Sequence, residues 1–362
     1  MAVFTAVDYS QQYFQCVLYT GDGSSRTITL PDTDADTAPD LVWIKQRGGD
    51  GTSHTVFDSV RGVQEAIFTN NTNTETTRTD AVSAFNTDGF DLGSNGDLNA
   101  NTETYVAWCW KANGSGSSNT AGSINTTATS ANTTAGFSIV TWTGDENSSA
   151  TLGHGLGAVP KMIITKGRTY ASSWATYHNK ITADYWLQMS ETDGKADVAT
   201  IWNDTEPTST LFTVGSSNQV NDAFNYVAYV FTDVQGFSKF GSYTGNGNAD
   251  GPFVPLTFRP AWILTKRVDS TGNWNLFDNR RTGGTQELTL GKANPMEMLL
   301  HPDLSNAEVD VSGGGHTMDG LANGFKIRST SAISNASGGT YIYAAFADAP
   351  LVNSKGVPCC AM

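Results

Sequence analysis

The chain has 362 residues, with 38% hydrophobic and only 15% charged side chains, 37 glycines and a net charge of −14. Its length leaves room for two or three domains, and a 10% aromatic content that includes 9 Trp excludes intrinsic disorder. An acidic chain with no clustered Lys and Arg has no surface for neutralising a nucleic-acid backbone or an anionic membrane, and its neutral polar residues, aromatics and glycines predict short strands and tight turns, hence an all-β fold.

The first residues, Met1-Ala2-Val3-Phe4-Thr5-Ala6-Val7-Asp8, lack the basic region and apolar core of a secretion signal. No apolar run approaches membrane-spanning length, so no membrane insertion is expected. Residues 1–12 are expected to form an N-terminal docking segment.

From residue 13 onward one pattern recurs three times. Tyr19-Thr20-Gly21 returns as Trp142-Thr143-Gly144 and as Tyr243-Thr244-Gly245. Pro39-Asp40-Leu41-Val42-Trp43-Ile44-Lys45 returns as Pro160-Lys161-Met162-Ile163-Ile164-Thr165-Lys166 and as Pro260-Ala261-Trp262-Ile263-Leu264-Thr265-Lys266. Proline suits the start of a strand because it cannot donate to a ladder. The lysine is expected where the strand emerges into solvent, its stem lying over apolar surface. A third anchor pairs Phe57-Asp58 with Tyr177-His178 and Phe277-Asp278. Trp174 and Trp274 stand three residues ahead of it, with His54 at that place in the first copy. Each copy closes on an aromatic strand: Tyr105-Val106-Ala107-Trp108-Cys109-Trp110, Tyr226-Val227-Ala228-Tyr229-Val230-Phe231 and Tyr341-Ile342-Tyr343-Ala344-Ala345-Phe346.

These anchors predict three tandem antiparallel β-sandwich repeats, at residues 13–112, 136–234 and 235–350, followed by a C-terminal tail at 351–362. Residues 113–135, rich in Ser, Thr, Asn and Gly, are expected to be a flexible linker or an extended surface strap. Copies two and three follow one another directly and are expected to pack as a pair, like beads beside a more independent first copy. Residues 184–189 and 295–300 are expected to form a helical turn or two.

Motifs that carry chemistry are few. Asp32, Asp34 and Asp36 alternate like the start of an EF-hand loop, but Thr37 and Trp43 stand where glycine and a bidentate glutamate are required. Gly153-His154-Gly155-Leu156-Gly157 precedes a strand, whereas phosphate loops open a helix. His54, His154, His178, His301 and His316 show no metal-binding spacing, and Cys16, Cys109, Cys359 and Cys360 form no zinc or disulfide framework. Cys16 and Cys109 are expected to be buried free thiols. No nucleophile elbow is present. The expectation is no catalytic residue, no metal, no cofactor, and a protein that is not an enzyme.

The Tyr-Thr-Gly turn, the Gly155-Leu156-Gly157-Ala158-Val159-Pro160 run into a strand ending at Lys166, and the closing Tyr-Val-Ala strand carry a resemblance. The sequence resembles a repeated β-sandwich domain family of marine and cyanobacterial tailed-phage structural proteins, tail fibres and minor virion proteins, over roughly residues 13 to 350. The resemblance implies a virion component assembled in the host cytoplasm, a lectin-like or jelly-roll-like sandwich, other virion proteins as partners and a homotrimer. The expected function is a tail fibre or receptor-binding component that contacts host surface polysaccharide. Trp174, Tyr177, Trp274 and Asn279 are the candidate glycan-binding residues, since aromatic faces flanked by amides suit sugars. The alternatives are a head decoration or a collar or tail accessory protein with a purely structural role, and a depolymerase.

Overall fold

The computed structural model describes residues 5–48, 51–281, 294–313 and 316–357. The fold is all-β, and its sheets are antiparallel sandwiches. Aromatic and β-branched runs form the long strands, while Gly, Asn and Asp supply the turns between them.

In residues 13–112 the main sheet runs in spatial order Phe14–Thr20, Thr104–Trp110, Leu41–Gln46, Thr55–Asp58, Gly62–Phe68 and Thr76–Thr77. Residues 136–234 follow the same plan, with Phe137–Thr143, Asn225–Phe231, Met162–Gly167, Ala175–His178, Tyr185–Gln188 and Ala196–Asp197. In residues 235–350 the order is Ser238–Thr244, Thr340–Pro350, Phe258–Arg267 and Asn275–Asp278. A smaller sheet covers one face of each: Arg26–Thr29, Gly89–Leu92 and Val82–Asn86 in the first segment, and Ala150–Gly153 with Leu211–Val214 in the second. In the third it is Phe253–Pro255, Gly324–Arg328 and Thr317–Leu321.

The recurring sequence anchors sit at corresponding places in these sheets. Tyr19 pairs with Tyr105, Trp142 with Tyr226 and Tyr243 with Tyr341 across the first two strands. Each pair stacks, with ring centroids 5.0, 5.4 and 4.9 Å apart. The glycine after each pair is dictated by contact. A Cβ on Gly21, Gly144 or Gly245 would fall 2.1, 2.0 or 2.3 Å from the carbonyl oxygen of Ala100, Asp222 or Ala336. The same turn is tied by a buried asparagine. Asn99 donates to the Ser24 and Gly93 carbonyls, Asn221 to Asn147, and Asn335 to Asn248 and Ser329.

The three main sheets share one apolar core. Val106, Trp108 and Trp110 of the first segment join Ile139, Ile164 and Phe231 of the second and Trp262, Leu264 and Phe346 of the third. At its centre the Phe346 ring lies 5.6 Å from Trp110 and 5.8 Å from Phe231. A void of about 40 Å³ there is lined only by apolar atoms of all three segments, the kind of cavity that stays dry. Two further cores lie between the sheets of the first and second segments.

This packing corrects several expectations. The segments are neither separate beads nor a pair with an independent first member, because each contributes its main sheet to the common core. Residues 113–135 are not a free linker: Ala128–Asn132 adds a strand to Phe137–Thr143, and Ser117 and Thr129 exchange both backbone hydrogen bonds. The expected helical turns are strands, Tyr185–Gln188 and Met298–Leu299, because each finds a ladder partner, Ala196–Asp197 and Val309–Asp310. The short helices lie elsewhere, at Gly96–Asn99, Ala199–Trp202 and Ala332–Asn335. Pro260 lies inside its strand, at a register shift that accommodates the missing donor.

The described part of the N-terminal segment is fastened to the C-terminal part of the chain. Ala6 N–H donates to the Gln235 carbonyl, Gln11 reaches the Asp348 carbonyl, and Ser354 of the C-terminal stretch donates to Asp8. Residues 1–4 and 358–362, with Cys359 and Cys360, lie outside the described residues.

Candidate functional site

The recurring polar side chains meet at the three seams between segments. Lys45, Lys166 and Lys266 do not emerge into solvent as expected: they are 1%, 0% and 0% exposed. Each ammonium bonds one carbonyl beside it in sequence and one in a neighbouring segment. Lys166 of the second segment reaches Thr72 O of the first at 3.3 Å, Lys45 of the first reaches Ser305 O of the third at 3.2 Å, and Lys266 of the third reaches Thr192 O of the second at 3.1 Å. The donors thus run second to first, first to third, third to second, and the cycle closes. Burial lowers all three ammonium pKa values to about 8.

Two seams add a buried charge network. Between the first and second segments, Asp58 takes Arg61 at 2.5 Å and the Tyr229 hydroxyl at 2.7 Å, while Glu75 binds Arg61 and, through both oxygens, Arg168. Burial alone would raise the Glu75 carboxyl, but Arg168 and Arg61 bring it below its ordinary value. Between the third and first segments the arrangement repeats. Asp278 takes Arg281 at 2.6 Å and Trp108 Nε1 at 3.1 Å, and Glu308 binds Arg47 at 2.7 Å and Arg281 at 3.3 Å.

The seam between the second and third segments keeps the backbone bonds and replaces the charges. Lys195 N–H donates to Val268 O at 2.9 Å, just as Glu75 N–H donates to Arg168 O and Glu308 N–H to Arg47 O. Where the other seams place Asp, Arg, Glu, Arg and an aromatic donor, this one has His178, Ile181, Lys195, Val268 and Ala344. Ala344 cannot donate, and His178 Nε2 meets the Tyr343 carbonyl at 3.2 Å instead. The five positions differ together.

The four candidate glycan-binding residues belong to this interior. Trp174, Tyr177, Trp274 and Asn279 are 1%, 1%, 0% and 5% exposed. Trp174 Nε1 donates to Phe68 O of the first segment and Trp274 Nε1 to Gln188 O of the second, so both rings seal seams. Tyr177 donates to Glu206 at 2.5 Å, and Asn279 N–H is taken by Ala261 O. None presents a face on which a sugar could stack, and the expectation is corrected: these are packing residues. The signal that misled was side-chain chemistry, since rings and amides that suit a sugar suit a packed interior equally.

Sequence reasoning missed Arg61, Glu75, Arg281 and Glu308. Their signal was available in the Asp-x-x-Arg spacing shared by Asp58–Arg61 and Asp278–Arg281. Among the histidines, His54 Nδ1 accepts from Trp43 Nε1 at 3.1 Å, His154 Nδ1 from Leu156 N at 3.2 Å, and His301 Nδ1 lies 2.9 Å from Trp274 O. Asp32, Asp34 and Asp36 lie in and around a single 3-10 turn. Among the described residues, no group of three or more His, Cys, Asp or Glu is placed to hold a metal ion.

At the surface, a stretch that does not recur runs along residues 111–120. A groove of about 560 Å³ is floored by Asp40 and walled by Phe85, Asn86, Lys111 and Asn113. A second, of about 360 Å³, continues from Asn113 past Ser117 and Asn119 to Gly155.

One family model matches residues 9–350. The chain belongs to that family, a domain of unknown function (DUF7483). The match runs from ahead of the first main strand to the end of the last one, so the DUF7483 unit is the whole three-segment body and not one segment of it. No curated protein matches the chain.

Proposed function

We propose that this DUF7483 protein is a non-catalytic structural component of a bacteriophage virion, built as a closed ring of three copies of one sandwich unit. In this reading it serves as a tail fibre or receptor-binding part that contacts host surface glycans. The observation that carries the reading is the use to which the recurring side chains are put. The recurring lysines, Trp174, Trp274 and the Asp–Arg–Glu groups hold segment to segment, which supports a rigid block whose polar loops face outward. Such a division of labour, rigid scaffold and recognition by loops, is how binding proteins separate stability from specificity.

The decisive experiment is adsorption. Purified protein should block attachment of the phage that encodes it to host cells, and labelled antibody should mark the tail. Label on the head, with adsorption unaffected, would replace the fibre reading by that of a decoration protein. Light scattering separates a single chain, whose threefold arrangement is internal, from the homotrimer that the family resemblance implies.

A further inference from the structure

We infer that the two-part groove along residues 111–120 is a binding subsite for an uncharged oligosaccharide, an inference that rests on the glycan-contact reading above. Three observations converge on it. The first is asymmetry. Features shared by the three segments are explained by the seams and by each segment's own turns, whereas this strap has no counterpart between the second and third segments, which join directly through Val234 to Phe237. A feature that packing does not require is where recognition can reside.

The second is preorganisation. Asn113 N–H is held by Ser130 Oγ at 2.8 Å, Ser117 and Thr129 are doubly bonded, and Asn119 N–H is held by Thr126 Oγ1 at 2.8 Å. Gly116, at φ +72, lies so close that a Cβ would stand 2.6 Å from the Thr129 backbone. The strap is fastened along its length, so a ligand would not have to order it.

The third is chemistry. Asp40 is engaged inside the groove, accepting from Ala112 N–H at 2.8 Å, and Lys111 Nζ, at the exposed edge, donates to the Asp36 carbonyl at 2.7 Å. Beside that one ammonium the groups toward solvent are neutral. Asn113 and Ser115 are exposed, Asn119 is half-buried, and the half-buried Phe85 ring supplies apolar area beside them. Amides and hydroxyls next to one aromatic ring suit the alternating hydroxyl and C–H surfaces of a pyranose. The net charge of −14 disfavours a polyanionic chain. The two grooves share Asn113, which gives the site the length for more than one sugar ring.

The test is a titration of the ¹⁵N-labelled full chain with maltohexaose, mannohexaose and chitohexaose at millimolar concentration, with hexagalacturonate as the anionic control. The side-chain amides of Asn113 and Asn119 should shift with at least one neutral sugar and not with the control. Phe85→Ala should weaken that binding about tenfold. Asn113→Ala, which removes a side chain on the surface, should weaken it severalfold with an unchanged unfolding midpoint. Shifts confined to another surface would overturn the site and leave glycan contact standing. No response to any neutral sugar, from protein that still blocks adsorption, would overturn the oligosaccharide class; failure of both would remove the glycan reading altogether.

Discussion

The ammonium of Lys45 lies 3.2 Å from the carbonyl oxygen of Ser305, 260 residues further along the chain. Lys166 and Lys266 repeat the contact at the other two seams, so a lysine at a strand end stitches each segment to the next. Lys166→Ala should destabilise the protein by about 2–4 kcal/mol, since it opens packing around the stem and leaves two buried carbonyls without a donor. Lys166→Met, which keeps the stem, should cost about half as much. Urea unfolding followed by Trp fluorescence measures both. Alkaline pH adds a check. The unfolded lysine holds its proton up to 10.5 and the folded one releases it near 8, so the unfolded state binds more protons between those values. This lysine's share of stability therefore rises with pH across that window, and Lys166→Met should abolish that share.

Acid should loosen the seam that lacks the charge network. Burial lowers the His178 imidazole to about 3, while the unfolded ring titrates near 6.5. Between these values the unfolded state binds the extra proton, so stability falls as pH drops below 6.5. His178→Gln, which keeps a donor for the Tyr343 carbonyl, should remove about 2 kcal/mol of that loss at pH 5. Asp303 pulls the other way, because burial raises its carboxyl to about 7. Comparing the variant with the parent chain cancels that contribution. Equal acid sensitivity of the two proteins would refute the assignment.

The charge networks should be coupled sets. Glu75→Gln removes the carboxylate between Arg61 and Arg168 and should cost about 3 kcal/mol. Ile181→Arg, which places a guanidinium in the seam without its acids, should cost about 3–5 kcal/mol. Adding His178→Asp and Lys195→Glu to Ile181→Arg should recover at least half of that loss, although Lys195→Glu alone should change little. Strict additivity of these substitutions in unfolding experiments would show that the five positions are independent.

Thiol labelling offers a simpler check. Cys16 and Cys109 are buried and free, and desolvation raises both thiols above their ordinary value. Neither should react with a thiol reagent in the native protein at pH 8, and both should react once urea unfolds it. Mass spectrometry of labelled peptides separates them from Cys359 and Cys360.

The strand class, the aromatic strand ends and the buried closing strands were legible because apolar runs and aromatic bulk are properties of the local chain; which rings would stack on which was not. Nor were the seams. Lys45 in sequence is a lysine after an apolar run, and only its neighbour from a distant segment makes it an interior group. Trp174 and Trp274 look like sugar-stacking rings for the same reason: a large amphipathic side chain is equally suited to a ligand or to another segment, and burial alone decides. The 113–135 stretch looks like a linker by composition, yet the Thr and Ser hydroxyls that suggest solvation are what fasten it. The candidate groove was legible only by subtraction, as the place where the copies differ.

A ring of identical chains looks the same after each third of a turn, and a substitution made once is written into it three times. Here each position is written once. In the proposed ring the exposed strap at 113–119 serves as a clock hand, so a neighbour that grips it finds it in a single rotation. Any assembly that contains this protein can therefore be keyed in angle as well as in position, which three interchangeable copies could not provide.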